Sequence, residues 1–382
     1  MKSSRDHRDD GRFMALALRL AAEGRATVSP NPMVGALLVS RGRVLAQAHH
    51  VRPGEPHAEA LVLQQAGAKA RGATLYLTLE PCCHTNKRTP PCLPLVQAAG
   101  LARVVIAMRD PNPAVSGRSI RALQRAKIPV TVGCCVEDAE ALNHVYIHWM
   151  RTGRPWVISK AGMTLDGKIA TATGESQWIT GAAARADAHG IRSTVDAVLV
   201  GVETAITDDP QLTARVTTGR GRATLAARQP MRVLVDSRLR LSPRARLFCT
   251  PGGGPVLVAT TAVAPRSRRA ALTRIGVEVV TLPAQKGRVS LPALLRLLSD
   301  RRVSSLLVEG GGEVTASLLR ARLIDEIRWY VAPRILGGQD ARSVIGGRSP
   351  ASLADAVALG GVMLEQIGDD LAITGRVLYG RR

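Results

Sequence analysis

The residues with the clearest chemical potential lie in the first quarter of the chain: His57, Glu59, Cys82 and Cys92. An imidazole and two thiolates are ligands that zinc prefers, and three protein ligands leave a fourth tetrahedral position open to water, as in catalytic zinc sites. Glu59, two residues after His57, can move a proton to or from that water without binding the metal. These residues predict a zinc site that activates water for hydrolysis.

The order His-x-Glu followed by Pro-Cys is typical of zinc-dependent deaminases, in which hydroxide attacks an amidine carbon and ammonia leaves. Their usual second cysteine lies three residues after the first, but Thr85 stands at that position, so Cys92 is the next candidate. Cys83 and His84 are alternative ligands, although neighbouring residues seldom both reach one ion. A role as buried apolar residues is the alternative without a metal.

In the second half, Glu309 and three glycines, Gly310 to Gly312, stand between a predicted buried strand and a predicted helix. Glycines let backbone N–H groups approach an anion closely, and the N-terminus of a helix favours negative charge. The run is not the G-x-G-x-x-G dinucleotide fingerprint. By itself it indicates either a site for a cofactor phosphate or a plain tight turn.

Strands and helices alternate along the whole chain, which predicts an α/β protein. In the first half we predict helices at 11–23, 57–67, from 91, 118–127 and 136–150, and strands at 34–39, 43–47, 73–79, 102–108 and 128–132, as a three-layer α/β/α domain. In the second half we predict helices at 182–192, 266–275, 291–298 and 313–320, and strands at 156–160, 197–201, 231–236, 256–260, 277–282, 304–308, 326–331, 362–366 and 371–377. The polar segment 151–155, broken by Gly and Pro, predicts domains at 1–152 and 153–382.

The length of 382 residues, 46% of them hydrophobic, exceeds one ordinary core and fits two domains. The 52 Lys and Arg against 30 Asp and Glu give a net charge of +22, which allows a nucleic-acid-binding interpretation. A bias towards Arg in the genome and a surface suited to phosphorylated substrates are the alternatives. The start of the chain does not resemble a signal peptide and no long apolar run follows, so we expect a cytoplasmic protein without a membrane partner.

The motifs of both halves, in their order along the chain, resemble those of the bifunctional riboflavin-biosynthesis deaminase/reductase family over about residues 10–378. In the first half they are Asn31-Pro32-Met33-Val34-Gly35, His57-Ala58-Glu59, Leu79-Glu80-Pro81-Cys82-Cys83-His84, Arg88-Thr89-Pro90-Pro91-Cys92 and Asp110-Pro111-Asn112-Pro113. In the second half they are Leu165-Asp166-Gly167-Lys168-Ile169-Ala170, Gly174-Glu175-Ser176-Gln177-Trp178-Ile179-Thr180, Asp208-Asp209-Pro210 and Val308-Glu309-Gly310-Gly311. The chain departs from the family pattern at Ser116, Ser119 and Glu203, where Ala, Gly and Gly are expected, and its Cys82–Cys92 interval is one residue longer.

The resemblance implies a cytidine-deaminase-like zinc domain followed by a dihydrofolate-reductase-like domain. The first would hydrolyse the 2-amino group of 2,5-diamino-6-(5-phosphoribosylamino)pyrimidin-4(3H)-one, with His57, Cys82 and Cys92 as zinc ligands and Glu59 as the catalytic proton carrier. The second would use NADPH to reduce the ribosyl group of 5-amino-6-(5-phosphoribosylamino)uracil to ribityl. The implied cofactor-binding residues are Gly162, Trp178, Thr204, Asp208, Ser237, Gly311, Gly312, Glu313, Val314, Thr315, Ala316 and Ser317, and the implied substrate-binding residues are Ser176, Arg192, Leu212, Arg215 and Glu309.

The implied partners are the phosphoribosyl-aminopyrimidine substrates, with no nucleic acid and no membrane, and we expect a homo-oligomer. Three other interpretations stay open. A tRNA adenosine deaminase suits the charge but not Thr85 or the large second domain. A nucleic-acid-binding module would need a closed structural zinc site, and an enzyme with one active domain would follow from the departures at Ser119 and Glu203. Considered alone, Trp178 is typical of a core residue and Arg192 of an exposed helix face.

Overall fold

The computed structural model describes residues 3–85, 89–217, 223–226 and 228–380, and the chain divides into two compact units, Met1–Gly153 and Arg154–Arg382. Within the described residues, no helix combines the length and the apolar character needed to cross a membrane. The helices and strands of the first unit are, in chain order, α1 (Ser3–Ala22), β1 (Gly35–Ser40), β2 (Arg43–His49), α2 (Ala58–Ala66), β3 (Thr74–Leu79), α3 (Leu93–Ala98), β4 (Arg103–Met108), α4 (Arg118–Arg125), β5 (Val130–Val132), α5 (Val136–Leu142) and α6 (His144–Thr152).

The strands of the first unit form one sheet in the order β2-β1-β3-β4-β5. β1 is antiparallel to β2 and β3, whereas β3, β4 and β5 are parallel to one another. The carboxyl ends of parallel neighbours lie at the same edge of a sheet. The residues after β3, which include Cys82, therefore lie beside the residues after β4, which include Asp110.

The central strands of this sheet are covered on both faces. Leu37 and Leu38 in β1 are both fully buried although successive side chains of a strand point to opposite faces, and the same holds for Val105 and Ile106 in β4. The helices form two contacting groups, α1 with α5, and α2 with α3 and α4. The predicted α/β/α arrangement is confirmed.

The predicted helix 136–150 is wrong at its centre, because Asn143 separates α5 from α6. The buried side chain of Asn143 accepts a hydrogen bond from Met33 N at 2.8 Å and donates one to Met33 O at 3.0 Å. This residue sits at the α5–α6 junction with φ −102° and ψ 19°. The contact is made across 110 residues, so helical periodicity alone did not reveal the break.

The helices and strands of the second unit are β6 (Trp156–Thr164), β7 (Lys168–Ala170), α7 (Ala182–Thr194), β8 (Ala197–Gly201), α8 (Val202–Asp208), β9 (Arg215–Thr217), β10 (Ala223–Leu225), β11 (Met231–Val235), α9 (Arg246–Cys249), β12 (Val256–Thr260), α10 (Arg266–Arg274), β13 (Glu278–Thr281), β14 (Ala284–Gln285), β15 (Arg288–Val289), α11 (Leu291–Asp300), β16 (Ser305–Val308), α12 (Gly312–Arg320), β17 (Glu326–Ala332), β18 (Arg342–Ser343), β19 (Ala358–Ile367) and β20 (Asp370–Leu378). The main strands of the prediction are all present. The short helix α8, which directly follows β8, was not predicted.

Nine strands of the second unit form a mixed sheet in the order β13-β12-β11-β8-β16-β6-β17-β20-β19. Its strands are parallel from β13 to β17, and β20 and β19 are antiparallel additions. Leu199 and Leu257 belong to one buried apolar cluster, and their neighbours Val200 and Val258 belong to another. A core therefore lies on each face, as expected for a parallel sheet between two layers.

Several arginines in the most basic stretch of the sequence, 215–246, have structural partners. Residues 218–222 and 227 of that stretch lie outside the described part of the chain. Arg228 forms an ion pair with Asp196, and Arg240 forms one with Glu203. Arg232 is buried and donates hydrogen bonds to the carbonyl oxygens of Gly254 and Leu247. Arg228 and Arg232 therefore stabilise the second unit from within, whereas the pair of Arg240 with Glu203 is exposed.

Candidate functional site

The predicted metal ligands of the first unit meet at the edge of its sheet. His57 is the residue that precedes α2, Cys82 follows β3, and Cys92 immediately precedes α3. The Nδ1 atom of His57 lies 3.5 Å from Cys82 Sγ and 3.4 Å from Cys92 Sγ. One nitrogen and two sulfur ligand atoms thus face a common point, all within 4.8 Å of one another.

This donor set fits zinc in both chemistry and size. Bond lengths of about 2.0 Å to nitrogen and about 2.3 Å to sulfur place the two kinds of ligand atom about 3.5 Å apart on a tetrahedron. The two measured nitrogen–sulfur separations agree with that value. Both cysteines are buried, so solvent competes little for the site. His57, Cys82 and Cys92 are therefore the residues that would hold a zinc ion, with a fourth position open to water.

Hydrogen bonds join the two ends of the segment between the cysteines, whose residues 86–88 lie outside the described part of the chain. Cys92 N and Leu93 N both donate to Cys82 O at 3.1 Å, and Cys92 N also approaches Cys82 Sγ at 3.3 Å. On the other side, His57 Nε2 lies 3.2 Å from the hydroxyl of Thr89. When Nδ1 binds the metal, Nε2 carries the proton and can donate it to the Thr89 hydroxyl, which then fixes the orientation of the ring. Arg88, part of the motif before Cys92, lies outside the described residues.

Of the two alternative ligands from the sequence, Cys83 has another contact. Its thiol is directed at Ala114 O, 3.8 Å away. Among the described residues, the metal-binding cluster consists of His57, Cys82 and Cys92 and includes neither Cys83 nor His84.

This difference between neighbouring cysteines gives a direct test. Cys82→Ala is expected to reduce the zinc content from about one ion per chain to nearly none, because two protein ligands hold zinc far more weakly than three. Cys83→Ala, the matched control, should keep its zinc. Elemental analysis of the purified, dialysed proteins measures both. Equal zinc loss in the two variants would show that Cys83 contributes to the site.

Glu59 lies in the first turn of α2, two residues after His57, and only 3% of it is exposed. A carboxylate is stabilised at this end of a helix by the helix dipole. Its position beside a metal ligand suits a group that moves a proton. A cleft of about 890 Å³ runs past His57, Thr89 and Cys92, which gives access to these residues from solvent.

Further polar residues that the sequence did not single out as site residues surround the ligands. The ring of His50 lies 5.0 Å from that of His57, and its Nε2 is 2.9 Å from the side-chain nitrogen of Asn31. Burial raises the pKa of Asp110 to about 6. Hydrogen bonds from Asn112 N and the Tyr146 hydroxyl lower this pKa, but their effect is smaller than that of burial. Asn31 and Asp110 lie in motifs of the family pattern, but nothing in their spacing connects them with each other or with His50.

In the second unit, the glycine run lies at the carboxyl edge of the sheet, where β16 and β8 are neighbours. A Cβ on Gly312 would come within 2.5 Å of Ser343 O, so only glycine fits at the start of α12. Gly311 N donates to the hydroxyl of Thr204 at 2.9 Å. This close approach of backbones beside a helix N-terminus suits a cofactor phosphate. The N–H groups of Val314 and Thr315 already donate to Gly311 O. An anion would therefore bind at the N-terminal end of the predicted 311–317 segment, before Val314.

The unexpected Glu203 does not disturb this arrangement. Its side chain is exposed and forms an ion pair with Arg240, while the neighbouring Thr204 keeps its contact with Gly311. Ser119, the departure in the first unit, is fully buried, and its N–H donates to Glu80 at 3.0 Å. Both departures are accommodated without loss of a predicted site residue.

Glu309, at the end of β16, is the centre of a buried charged cluster. The guanidinium of Arg192 donates to both of its oxygens, and Lys160 Nζ lies 3.5 Å from Oε2. Burial opposes ionisation of Glu309, but the charges of Arg192 and Lys160 outweigh it and lower its pKa to about 2. Burial and the charges of Arg192 and Arg215 lower the pKa of His189 to about 4. Near pH 7 the cluster is therefore a carboxylate held by two cations beside a neutral imidazole.

Lys160 belongs to this cluster although sequence reasoning assigned it no role. β6 and β16 are paired in parallel with Ser159 opposite Val308, so Lys160 comes opposite Glu309. Arg192, considered alone, looked like an exposed helix residue, and that expectation is wrong. Its contact with Glu309 spans 117 residues, which only the tertiary fold reveals.

The remaining predicted residues of this unit have varied surroundings. Ser176 donates to Asp208 at 2.7 Å, and Ser237 accepts from Val289 N at 3.0 Å. Trp178 is 62% exposed, with the guanidinium of Arg185 4.5 Å from its ring, so it is not a core residue. Leu212, Thr315 and Ala316 are buried. Gly162 lies in β6, where a Cβ would contact Thr180 at 3.1 Å.

Comparison with known families gives one match in each unit. Residues 7–108 match the cytidine and deoxycytidylate deaminase zinc-binding region, and residues 155–373 match the RibD C-terminal domain. The first match contains all three residues of the metal-binding cluster, and the second contains the glycine run and the charged cluster.

Curated proteins and solved structures match over almost the whole chain. The riboflavin biosynthesis proteins RibD of Bacillus amyloliquefaciens and Escherichia coli K12 are each 40% identical, over 95% of this chain and 95% and 98% of their own lengths. A structure of Acinetobacter baumannii RibD has 35% identity and a TM-score of 0.85, covering 98% of this chain and 100% of that one. The Thermotoga maritima diaminohydroxyphosphoribosylaminopyrimidine deaminase/5-amino-6-(5-phosphoribosylamino)uracil reductase has 33% identity and a TM-score of 0.81, with the same coverage.

Proposed function

The chain belongs to the RibD family of bifunctional riboflavin-biosynthesis enzymes, and from this we propose that its two compact units carry the two activities separately, with the division near Gly153. The protein is a zinc-dependent deaminase of 2,5-diamino-6-(5-phosphoribosylamino)pyrimidin-4(3H)-one. It is also an NADPH-dependent reductase of 5-amino-6-(5-phosphoribosylamino)uracil. The geometry of His57, Cys82 and Cys92 is the observation that carries the deaminase assignment.

In the deaminase we assign Glu59 the transfer of protons. Zinc, when bound, supplies a Lewis acid that makes hydroxide available near neutral pH. Glu59 takes a proton from the attacking water and passes it to the departing amino nitrogen, which leaves as ammonia. The hydrogen bond between His57 Nε2 and Thr89 keeps Nδ1 available as a ligand throughout this cycle.

In the reductase we assign Glu309 and Arg215 to the substrate and the start of α12 to the cofactor. The ribosylamine must open to an imine, whose carbon accepts the hydride that NADPH supplies when bound. Glu309, ionised at neutral pH, accepts hydrogen bonds from the sugar. The guanidinium of Arg192 already donates two hydrogen bonds to Glu309, so we propose that Arg192 orients that carboxylate. We propose that Arg215, on β9, binds the substrate phosphate.

For the other predicted cofactor residues, the support is their position at the carboxyl edge of the sheet. Thr204 directly contacts Gly311, and Ser237 follows β11, the next strand but one from β16. Open α/β sheets bind their ligands at this edge. We propose that Gly162, Trp178 and Asp208 bind the cofactor and that Ser176 binds the substrate, and the support for these four roles is the resemblance of their motifs to the family.

A coupled assay with separate readings of ammonia and NADPH tests the two-site proposal. Gly311→Val is expected to abolish NADPH oxidation, because a Cβ there lies 3.3 Å from the Thr204 hydroxyl and its methyl groups fill the phosphate approach. Ammonia release should stay unchanged. Gly190→Val, at an exposed position of α7 with open space around it, is the matched control for both activities. Loss of both activities in Gly311→Val would contradict two separate sites.

We also propose a homo-oligomer and a cytoplasmic location. β19 forms one edge of the nine-stranded sheet, and its Val362, Met363 and Leu364 are at least half exposed although they point alternately to both faces. An apolar edge strand of this kind favours pairing with a second copy. Light scattering should give a mass above that of one chain, and Leu364→Lys should lower that mass.

The cytoplasmic location is supported by the zinc ligands. Zinc ligation by Cys82 and Cys92 requires thiolates, which favours a reducing compartment, and cell fractionation tests this location.

A further inference from the structure

Glu80 is a buried carboxylate beside the metal-binding cluster that the mechanism does not use. It follows β3 and is separated from Cys82 by one proline, and only 2% of it is exposed. Its N–H donates to Met108 O at 3.0 Å, which joins the ends of β3 and β4. A buried carboxylate is costly unless its oxygens accept hydrogen bonds.

Both oxygens of Glu80 accept hydrogen bonds from the backbone of one segment, residues 110–120. Oε2 accepts from Gly117 N at 2.8 Å and from Asp110 N at 3.3 Å. Oε1 accepts from Ser119 N at 3.0 Å and from Ile120 N at 3.3 Å. These donors are 30 to 40 residues away in the sequence. One side chain therefore holds the beginning and the end of the β4–α4 connection.

Two of these donors belong to the first turn of α4, whose N–H groups have no partner within the helix. The residue before α4 is Gly117, with φ 79°, and it offers no side chain to cap the helix. Glu80 supplies that cap from a different element, with the charge that the helix dipole favours. The β4–α4 connection is therefore held by Glu80, which lies between β3 and Cys82.

The segment that Glu80 holds adjoins the metal-binding cluster. Ala114 O lies 3.8 Å from the thiol of Cys83, next to the ligand Cys82. Within the segment, Asp110 accepts from Asn112 N at 2.8 Å, and Asn112 in turn accepts from Ala114 N at 2.9 Å. The segment is therefore internally ordered, and Glu80 determines where it stands relative to Cys82.

We propose that Glu80 is a positioning residue of the deaminase, which fixes segment 110–120 as a wall of the active site at a set distance from the zinc ligands. This inference rests on the proposed deaminase function. Glu80 neither binds zinc nor transfers a proton. By holding segment 110–120 in place, it keeps the substrate at the correct distance from the metal. A misplacement of about 1 Å in such a wall can cost about a hundredfold in rate.

Glu80→Gln is the test, because the amide keeps the shape but offers one acceptor and places an NH₂ group against two N–H donors. We expect faster hydrogen exchange confined to peptides of residues 109–120, with about one zinc per chain retained. The kcat/KM for ammonia release should fall at least tenfold, while the NADPH oxidation driven by the deaminated substrate stays unchanged. Asp196→Asn is the matched control: Asp196 likewise accepts from Ser304 N and Ser305 N, but in the second unit, so deamination should not change.

Two results would overturn the proposal. Faster exchange in 109–120 with unchanged deamination would show that the position of the segment does not matter. A loss of activity in proportion to lost zinc would show that Glu80 acts by retaining the metal. If Glu80→Gln does not fold, Glu80→Asp, which keeps the charge on a shorter side chain, is judged by the same measurements. Absence of ammonia release from the unmodified protein would instead refute the deaminase function itself.

Discussion

Glu59→Gln is expected to lower ammonia release by at least a hundredfold and up to about ten-thousandfold while about one zinc ion per chain remains bound. General acid–base groups contribute rate factors of this size, and Gln cannot take a proton from the attacking water. The metal should stay because Glu59 is not among the three residues of the metal-binding cluster. Ammonia release and elemental analysis on the same preparation measure the two effects.

Glu55→Gln is the matched control for this variant. Glu55 lies four residues earlier, is 44% exposed in its side chain, and forms an ion pair with nearby Arg52 at 3.2 Å. It should keep full activity, and both variants should oxidise NADPH normally when given the deaminated substrate. If Glu59→Gln released ammonia at more than about a tenth of the normal rate, another residue would have to carry the proton.

Arg192→Met is expected to destabilise the second unit by about 3–5 kcal/mol and to abolish the reductase activity. Removing one partner of a buried ion pair leaves the other charge without compensation, which is the most costly way to change such a pair. Lys160, 3.5 Å from Glu309, offsets only part of that cost. Denaturant unfolding and NADPH oxidation are the two measurements, and ammonia release should not change.

The double variant Arg192→Met/Glu309→Met separates stability from function. Replacing both charges of a pair by apolar side chains is often neutral or stabilising, but Lys160 also loses Glu309 as its partner. The double variant should therefore recover part of the lost stability and none of the reductase activity. Arg301→Met, which breaks an exposed pair with Glu278, is the control and should cost about 0–1 kcal/mol. Reductase activity in the double variant would show that Glu309 and Arg192 serve the fold alone.

Part of the high arginine content of the chain serves ion pairs within the second unit. Arginines such as Arg192, Arg228 and Arg328 each pair with a carboxylate and are no more than 28% exposed in their side chains. Arg328 bridges Asp187 and Glu365. These arginines therefore stabilise the fold, whereas the net charge of +22 comes from the basic residues that outnumber the acidic ones.

The metal-binding cluster was predictable from the sequence because each ligand stands at a local structural signal. His57 precedes a helix, Cys82 follows a buried strand, and Cys92 precedes another helix. Periodicity and turn residues mark such boundaries within a few positions, and ligand chemistry restricts which side chains count. The sequence predicts Cys82 with Cys83 as the alternative, and the direction of the Cys83 thiol towards Ala114 O supports Cys82.

What the sequence by itself determined about this protein is the alternation of strands and helices, the division into two units, and the three residues that form the metal-binding cluster. Only the tertiary structure decided which distant residues meet. Glu80 holds a segment 30 to 40 residues away, Asn143 interrupts a helix to hold Met33, and Lys160 comes opposite Glu309 because β6 and β16 are paired. Local propensity acts over a few residues, whereas these contacts depend on strand order and on the satisfaction of buried polar groups. Their partners are therefore a property of the folded chain.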